Sequence, residues 1–266
     1  MAAALDRSAF FNAARAQPFG GSLRQGQVSG MTAILDACPP DLDSDSLAYC
    51  LATAFHETAR TMLPIKEYGG DAYFKRMYDP KGERPHVAQT LGNTLPGDGA
   101  KFAGRGYVQL TGRSNYRRAT GELQNRGYLT REQDLTAAPD MAMTPDVAAA
   151  IMFLGMTEGW FTGRKLSDYF GPARIGDPFN ARRIINGVDK AEAIKSYHTA
   201  FRGALKAAGH VPGAVSPSVP TNPVETGPLI APAPRKTASP VAPAPAAPSA
   251  SSSLFGRIVA RLTGKA

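Results

Sequence analysis

The sequence predicts a mainly α-helical fold with at most a few short strands, and three observations support this prediction. Apolar residues recur at helical spacing in several windows, and no clean alternating run of strand length stands out. Capping residues, prolines and glycines stand where those windows begin and end. With 266 residues, of which 43% are hydrophobic, the chain can bury a sizeable core.

Capping and stop residues set the expected helix boundaries. Asp6, Asp43 or Ser44, and Thr144 are good N-caps, while Gly209 is well placed to end the last helix. The segment 65–103 is rich in glycine, proline and charge, and it is too long for an ordinary connection, so we expect a functional or disordered loop there. The predicted helices span 6–16, 25–37, 44–59, 146–159 and 190–208.

Proline divides the chain into three parts. Of its 22 prolines, 11 lie between Pro212 and Pro248, in a stretch with much alanine and serine. Such a composition cannot bury a core. We therefore expect a folded domain at 1–211, a disordered Pro/Ala/Ser-rich linker at 212–250 and a short basic amphipathic segment at 251–266.

The net charge of +8 divides at the same place. From Pro212 onward the tail has five Lys or Arg and one Glu, which gives +4, and the remaining 25 basic and 21 acidic residues also give +4. A basic chain favours anionic partners such as nucleic acid, lipid headgroups or envelope polymers. The absence of an arginine-rich run interleaved with aromatics disfavours nucleic acid. The segment 251–266 is expected either to contact an anionic membrane or lipopolysaccharide, or to be an unstructured solubilising tail.

Cysteines and apolar runs bear on the compartment. Cys38 and Cys50 are too few for a disulfide scaffold and lack zinc-ligand spacing, so we expect two reduced thiols. Asp6 and Arg7 stand where a signal peptide would need its apolar stretch, and no apolar run is long enough to span a bilayer. The sequence thus predicts synthesis in the cytoplasm without a signal peptide.

The first candidate chemistry is a pair of glutamates. The motif AFHETAR at 54–60 lacks the second histidine of a zinc protease, since Arg60 stands there, so no metal is expected. Glu57 ends a largely apolar helix, and Glu67 opens the long loop. Apolar surroundings keep a carboxyl proton for donation, whereas a solvated loop carboxylate stays ionised. The alternative is that Glu57 is simply a salt-bridged helix end.

The second candidate is the block GRGYVQLTGRSNY at 104–116. Its glycines permit close backbone approach, and its amide and hydroxyl side chains suit recognition of amides and hydroxyls. Tyr107 and Tyr116 offer flat ring faces to a sugar. The Lys-Ser/Thr ending of a phosphate loop is absent.

With these motifs the sequence resembles glycoside hydrolase family 19, which includes plant-type chitinases and many phage endolysins. HET at 56–58, the block at 104–116, DLTAAPDMA at 134–142 and INGVD at 185–189 carry the resemblance, which covers most of 5–207. Two departures are Ala59 and Arg60, where the family has a double glycine, and Val188, where it has a further glycine. The resemblance implies a two-lobed, lysozyme-like helical domain with a cleft, so that 1–211 would be catalytic.

The resemblance also implies roles for individual residues. Glu57 would be the general acid that protonates the glycosidic oxygen, and Glu67 the general base that activates water, with Thr111 helping to hold that water. Arg105 would support the loop. Asp71, Asp79 and Glu83 are rivals of Glu67 as the base. The residues expected to bind substrate or order the cleft are Gln109, Asn115, Asn186, Tyr107 and His56.

The function implied is hydrolysis of β-1,4 bonds in an N-acetylated glycan by an inverting mechanism without metal or cofactor. The expected substrate is peptidoglycan, attacked by an endolysin-like monomer that is released to the cell wall during phage or prophage lysis. Two alternatives stay open, namely a chitinase and a non-catalytic wall-binding or chitin-binding protein on the same fold. A basic nucleic-acid-binding or membrane-binding protein is a third class.

Overall fold

The structure, a computed structural model, describes residues 5–171 and 175–212. The helices are α1 (Arg7–Ala16), α2 (Gln25–Asp36), α3 (Ser44–Glu57), α4 (Asp71–Tyr78), α5 (Pro85–Leu91), α6 (Asp98–Lys101), α7 (Arg113–Asn125), α8 (Pro145–Glu158) and α9 (Ala191–Ala207). Single 3-10 turns span Pro139–Met143, Leu166–Asp168 and Asn180–Ile184. The strands β1 (Ile65–Lys66) and β2 (Arg105–Gly106) form an antiparallel pair. The predictions for 213–250 and 251–266 lie outside the described residues.

The prediction of a mainly α-helical fold is confirmed, and the caps explain the helix boundaries. The Asp6 carboxylate accepts a hydrogen bond from the backbone of Ala9 at the start of α1. The Asp43 carboxylate does the same for Ser46 at the start of α3. Thr144 precedes α8 without a side-chain cap bond, so Pro145 at the first helical position is the helix-start signal that operates there.

The larger hydrophobic cluster surrounds α3. This helix is buried on nearly all sides, from Ser46 to Phe55 without interruption, as expected of a helix at the centre of a core. The amphipathic α9 packs against both α3 and α1, and α2 packs against α8. Cys38 and Cys50 are free and buried in this cluster. The central helix thus delivers its last residue, Glu57, from inside the core.

A smaller hydrophobic cluster is formed by the segment that was expected to be a long loop. Phe74, Met77 and Tyr78 of α4 pack against Val87 and Leu91 of α5. That expectation was therefore wrong, since 65–103 contains three short helices. These two separate clusters agree with the two-lobed fold implied by the resemblance.

The described residues contain no helix that is long and apolar enough to cross a membrane. The strands β1 and β2 flank the segment that contains α4, α5 and α6, with Ile65 opposite Gly106 and Lys66 opposite Arg105. Glu67 follows β1 directly, so the pairing of β1 with β2 fixes the position of its backbone.

Candidate active site

Glu57 is buried and paired with an arginine. Its side chain is 2% exposed, and its Oε1 accepts a hydrogen bond of 2.7 Å from Nη1 of Arg182, whose side chain is 1% exposed. Arg182 lies in the 3-10 turn Asn180–Ile184, and its Nε donates to the carbonyl of Asp189 at 3.2 Å. A buried charge requires a partner of this kind, because leaving it unpaired costs several kcal/mol.

Sequence reasoning missed Arg182. The two partners are 125 positions apart, and neither periodicity nor a cap indicates which of many arginines reaches a given helix end. The only available signal was indirect: a carboxylate at the end of an apolar helix needs a counter-charge. The alternative of a salt-bridged helix end therefore describes the geometry of Glu57 in this structure.

The turn after Glu57 has an unusual backbone. Ala59, Arg60 and Met62 all have positive φ, at 50°, 68° and 58°, although non-glycine residues rarely adopt this conformation. The Arg60 guanidinium lies 5.7 Å from the ring centre of Phe55, a cation–π contact that helps hold the turn. Strain of about 1–2 kcal/mol per residue is thus stored next to Glu57.

His56 lies on the solvent side of the same helix end. Its Nε2 is buried and has no hydrogen-bond partner among the described residues. Burial lowers the pKa of His56, and the neighbouring Glu57 carboxylate works in the opposite direction. The neutral imidazole is therefore favoured, with one ring nitrogen free to accept or donate a hydrogen bond.

Glu67 is also buried, at 9% exposure, but its partners are neutral. Its Oε1 accepts from the Tyr78 hydroxyl at 3.0 Å, and its Oε2 accepts from the backbone of Gly104 at 3.2 Å. Burial raises the pKa of Glu67, while these two hydrogen bonds work in the opposite direction. The expectation of a solvated loop carboxylate does not fit this structure, because α4 covers the residue.

Gly104 is where residues of several motifs meet. Besides its bond to the Glu67 carboxylate, its carbonyl accepts from the Glu67 backbone at 2.7 Å. A Cβ atom added at Gly104 would lie 2.8 Å from Oε1 of Gln109 and 3.1 Å from Oγ1 of Thr111. A larger residue at this position would therefore have to displace the end of the Gln109 side chain. Glu67, Gln109 and Thr111 therefore surround one backbone position.

Gln109 and Thr111 are held by the chain around them. Gln109 has a φ of 55°, and its Nε2 donates to the carbonyls of Ile65 and Gly106, each at 3.2 Å. The Thr111 hydroxyl donates to the Gln109 carbonyl at 2.9 Å. Because its proton is already used, this hydroxyl can still accept a hydrogen bond from another group.

The two asparagines lie at different places in the fold. Asn115, in α7, is half-buried and donates from Nδ2 to the Thr111 carbonyl at 2.7 Å. Asn115 therefore helps hold Thr111 beside Gly104. Asn186 is 6% exposed, and its Oδ1 accepts from the backbone of Gly187 at 2.7 Å. It lies directly after the turn that contains Arg182, on the side of Glu57.

Tyr107 and Tyr116 present no ring face to solvent, since both are 0% exposed. The Tyr107 hydroxyl lies 3.4 Å from the carbonyl of Gly30, and the Tyr116 hydroxyl lies 3.0 Å from Nη1 of Arg105. The expectation that these rings stack on a sugar does not fit this structure. Both tyrosines are core residues, and Arg105 supports the loop through Tyr116.

The rival bases are placed differently from Glu67. Asp79 accepts hydrogen bonds from the backbones of Gly97 and Gly99, at 2.8 and 2.5 Å, so it holds a loop. Glu83 is exposed and forms a loose ion pair with Arg76 at 3.7 Å. Asp71 is exposed in the first turn of α4. Among these acids and Glu67, only Glu67 contacts the block at 104–116 in the described contacts.

Metal sites and cavities add two further facts. Within 5–171 and 175–212, no group of three or more His, Cys, Asp or Glu side chains could hold a metal ion. Cavities of about 840, 600 and 430 Å³ lie in the same part of the chain, and neither Glu57 nor Glu67 lines them. The two glutamates thus belong to two buried networks, one charged and one neutral.

Comparisons with known proteins give distant likenesses to solved structures. No family model matches the sequence, and no curated protein matches it. Chitinase C from Streptomyces griseus HUT6037 and a mutant of chitinase C are each 16% identical to this chain, with a TM-score of 0.40. Each match covers 79% of this chain and 94% of the other. A likeness at this TM-score supports no inference about function.

Proposed function

We propose that this chain is a glycoside hydrolase that cleaves β-1,4 bonds between the N-acetylated sugars of peptidoglycan. Glu57 is the general acid and Glu67 the general base in this proposal. The observation that carries it is the meeting of Glu67, Gln109 and Thr111 around Gly104, because residues of two separate motifs converge on a candidate base. The enzyme acts on the cell wall after its release from the cytoplasm.

The chemistry follows the inverting route. Glu57 donates a proton to the glycosidic oxygen while Glu67 removes one from the attacking water, which requires carboxyl groups about 6.5–9.5 Å apart in the working complex. The Thr111 hydroxyl, whose own proton is directed to Gln109, accepts a hydrogen bond from that water. No metal takes part in these steps.

The proposal is tested by replacing each glutamate with glutamine and measuring the release of reducing ends from peptidoglycan. Glu57→Gln and Glu67→Gln should each lower the rate by about 10²- to 10⁴-fold, the usual contribution of general acid–base catalysis. Glu83→Gln is the matched control, because it removes an exposed rival carboxyl and should retain the full rate. Near-full activity of Glu57→Gln or Glu67→Gln contradicts the proposal.

A fold check has to accompany the Glu57 variant. Glutamine in place of Glu57 leaves the buried Arg182 guanidinium without its charged partner, and such a loss costs about 3–5 kcal/mol. Rates are therefore compared well below the melting temperature of each variant, with circular dichroism as the measure of folding. A folded but inactive Glu57→Gln separates catalysis from stability.

The division of roles between the glutamates needs its own test, because burial raises the pKa of Glu67 and a raised pKa also suits a proton donor. A dinitrophenyl glycoside of an N-acetylglucosamine oligomer decides, since its leaving group needs no proton. On this substrate, the glutamine variant of the general acid retains turnover. The glutamine variant of the general base regains turnover when azide replaces water as the nucleophile.

Two alternatives are separated by substrate. A chitinase would degrade chitin oligomers at least as fast as peptidoglycan. A non-catalytic wall-binding protein would sediment with cell walls without releasing any reducing ends. The net charge of +8 favours the anionic peptidoglycan over uncharged chitin.

A further inference from the structure

A basic cavity lies beside the strands β1 and β2. Its volume is about 600 Å³, and residues of β1, β2, α4, α6 and the segment 137–140 line it. Three lysines line it, one from each of β1, α4 and α6: Lys66, Lys75 and Lys101. All three are exposed. We refer to this cavity as the lysine pocket.

The three lysines have no carboxylate partner within the described residues. Arg105 also lines the pocket, but it is paired with Asp140 at 2.7 Å and donates to the carbonyl of Lys101 at 2.9 Å. Asp71 is the remaining acid of the lining, and no ammonium of the pocket lies within 4.0 Å of it. Four basic and two acidic side chains leave a net charge of +2 in the lining.

Buried aromatic rings lie near two of the ammonium groups. Nζ of Lys66 lies 5.9 Å from the ring centre of Phe74, and Nζ of Lys101 lies 5.4 Å from that of Phe102. Such contacts give a long, flexible side chain a preferred position. They leave the protons of the ammonium group available to a ligand, because a ring face does not use up hydrogen-bond donors in a fixed geometry.

Small apolar groups also line the pocket. They belong to Ala100, Ala137, Ala138 and Pro139. The pocket therefore combines cationic groups with methyl-sized contacts. A ligand that matches both carries carboxylates on a chain of small residues, as a short acidic peptide does.

The lysine pocket and Glu67 both adjoin the paired strands β1 and β2, but on opposite faces of the pair. Side chains alternate along a strand, and the exposure of Ile65, Lys66 and Glu67 alternates accordingly as half-buried, exposed and buried. Lys66 of β1 pairs with Arg105 of β2, and the backbone N–H of the next residue, Glu67, donates to the carbonyl of Gly104. The backbone of Lys66 and Glu67 therefore joins the pocket to the surroundings of Glu67.

We propose that the lysine pocket binds the carboxylates of the peptide stems carried by the glycan, so that the preferred substrate is a peptide-bearing glycan. This inference rests on the proposed function and names the substrate class of the same site. Peptidoglycan stems provide both carboxylates and alanine methyl groups. Chitin has neither, and it would leave the pocket without a ligand.

Binding is tested without catalysis, on the full chain at low salt. The probe is the peptide Ala-Glu-Ala with free carboxylates, and its comparison is the uncharged Ala-Gln-Ala amide. Backbone resonances of Gly97, Ala100 and Ala138 should shift with the first peptide and not with the second. Salt should weaken the binding, since exposed charges are screened.

Charge variants locate the site. Replacing Lys66, Lys75 and Lys101 together with glutamine should weaken binding of Ala-Glu-Ala by about tenfold or more, because charge-assisted hydrogen bonds are lost. The matched control replaces three exposed lysines elsewhere and changes the net charge equally: Lys81, Lys165 and Lys206. Equal binding of the neutral peptide, equal weakening in the control variant, or tighter binding of inorganic phosphate at the same resonances overturns the proposal.

Hydrolysis gives the second readout and separates this inference from the proposed function. The triple lysine variant should lose about tenfold in kcat/KM on peptide-bearing glycan and none on the same glycan after an amidase has removed the stems. Equal rates of variant and wild type on both glycans overturn the pocket proposal while the hydrolase stands. Peptide binding without cleavage of either glycan overturns the proposed function while the pocket stands.

Discussion

Glu57 and Glu67 are both buried, yet the partners of one are charged and those of the other are neutral. At the end of α3, in the larger core, Glu57 accepts a hydrogen bond from the guanidinium of Arg182. Directly after β1, Glu67 accepts hydrogen bonds from the Tyr78 hydroxyl and the Gly104 backbone. In the first case the partner is a guanidinium 2.7 Å away, and in the second burial raises the pKa of Glu67.

The comparison shows that one fold can place two carboxyl groups in different environments. One has a charged partner and the other has neutral partners. The charged partner comes from 125 positions away, whereas Gly104 is 37 positions from Glu67. Packing of the turn that contains Arg182 therefore sets the environment of Glu57, and the pairing of β1 with β2 contributes to that of Glu67.

The largest expected effect comes from breaking the charged pair. Arg182→Met leaves a buried carboxylate without a partner and should lower the free energy of unfolding by about 3–5 kcal/mol, measured by urea unfolding. The double variant Glu57→Gln, Arg182→Met should recover at least half of that loss, because neither buried charge remains. If the losses in free energy of unfolding simply add in the double variant, the ion pair of Glu57 and Arg182 does not stabilise the fold as described.

A smaller effect is expected at Thr111, near Glu67 and its neutral partners. Thr111→Ala should lower kcat on peptidoglycan by about tenfold, a loss comparable to one hydrogen bond, with the fold retained. Thr111→Ser is the matched control, since it keeps the hydroxyl and should retain most of the rate. A wild-type rate for Thr111→Ala removes this residue from the site.

The turn after Glu57 gives a stability prediction of about the same size. Ala59 has a φ of 50°, so Ala59→Gly should raise the free energy of unfolding by about 1 kcal/mol by relieving left-handed strain. Ala193→Gly, in the interior of α9, should lower it by about 0.5–1 kcal/mol. Destabilisation by both changes would show that the turn after Glu57 is unstrained.

The smallest effect is a pH dependence of stability that comes from Glu67. Its pKa is raised in the fold above the ordinary value of 4.5, so the folded state keeps a proton that the unfolded chain loses. The stability from this group is full below that ordinary value and declines as pH rises through the folded-state pKa. The stability of Glu67→Gln relative to wild type should therefore increase as the pH rises above that ordinary value, as measured by urea unfolding.

A constant difference would contradict this prediction. If the stability difference between Glu67→Gln and wild type does not change as the pH rises above the ordinary value, the environment of Glu67 does not favour its protonated form.

The long helices could be predicted from sequence because their signals are local. Asp6, Asp43 and Gly209 mark the ends of α1, α3 and α9, and each helix lies within a few residues of its predicted range. Three short helices, α4 to α6, were missed because 65–103 is rich in glycine, proline and charge. Their stability comes from a small cluster around Phe74, which no window of sequence reveals. The helix α7 was missed since its polar sequence suggested a recognition loop.

The candidate site was predictable in its motifs but not in its environments. The sequence indicated Glu57, Glu67, Gln109 and Thr111, yet it predicted a solvated Glu67. It also gave no sign of Arg182. Both differences have one cause: burial and ion pairing depend on which distant elements cover a residue, and the helices that cover Glu67 were themselves not expected.

The most direct test of the central claim is mass spectrometry of the fragments that the full-length protein releases from peptidoglycan, with Glu57→Gln as the inactive reference. The account predicts disaccharide-peptide fragments with new reducing ends at β-1,4 bonds for wild type and none for the variant. Release of peptides without new reducing ends, or equal release by the two proteins, would contradict it.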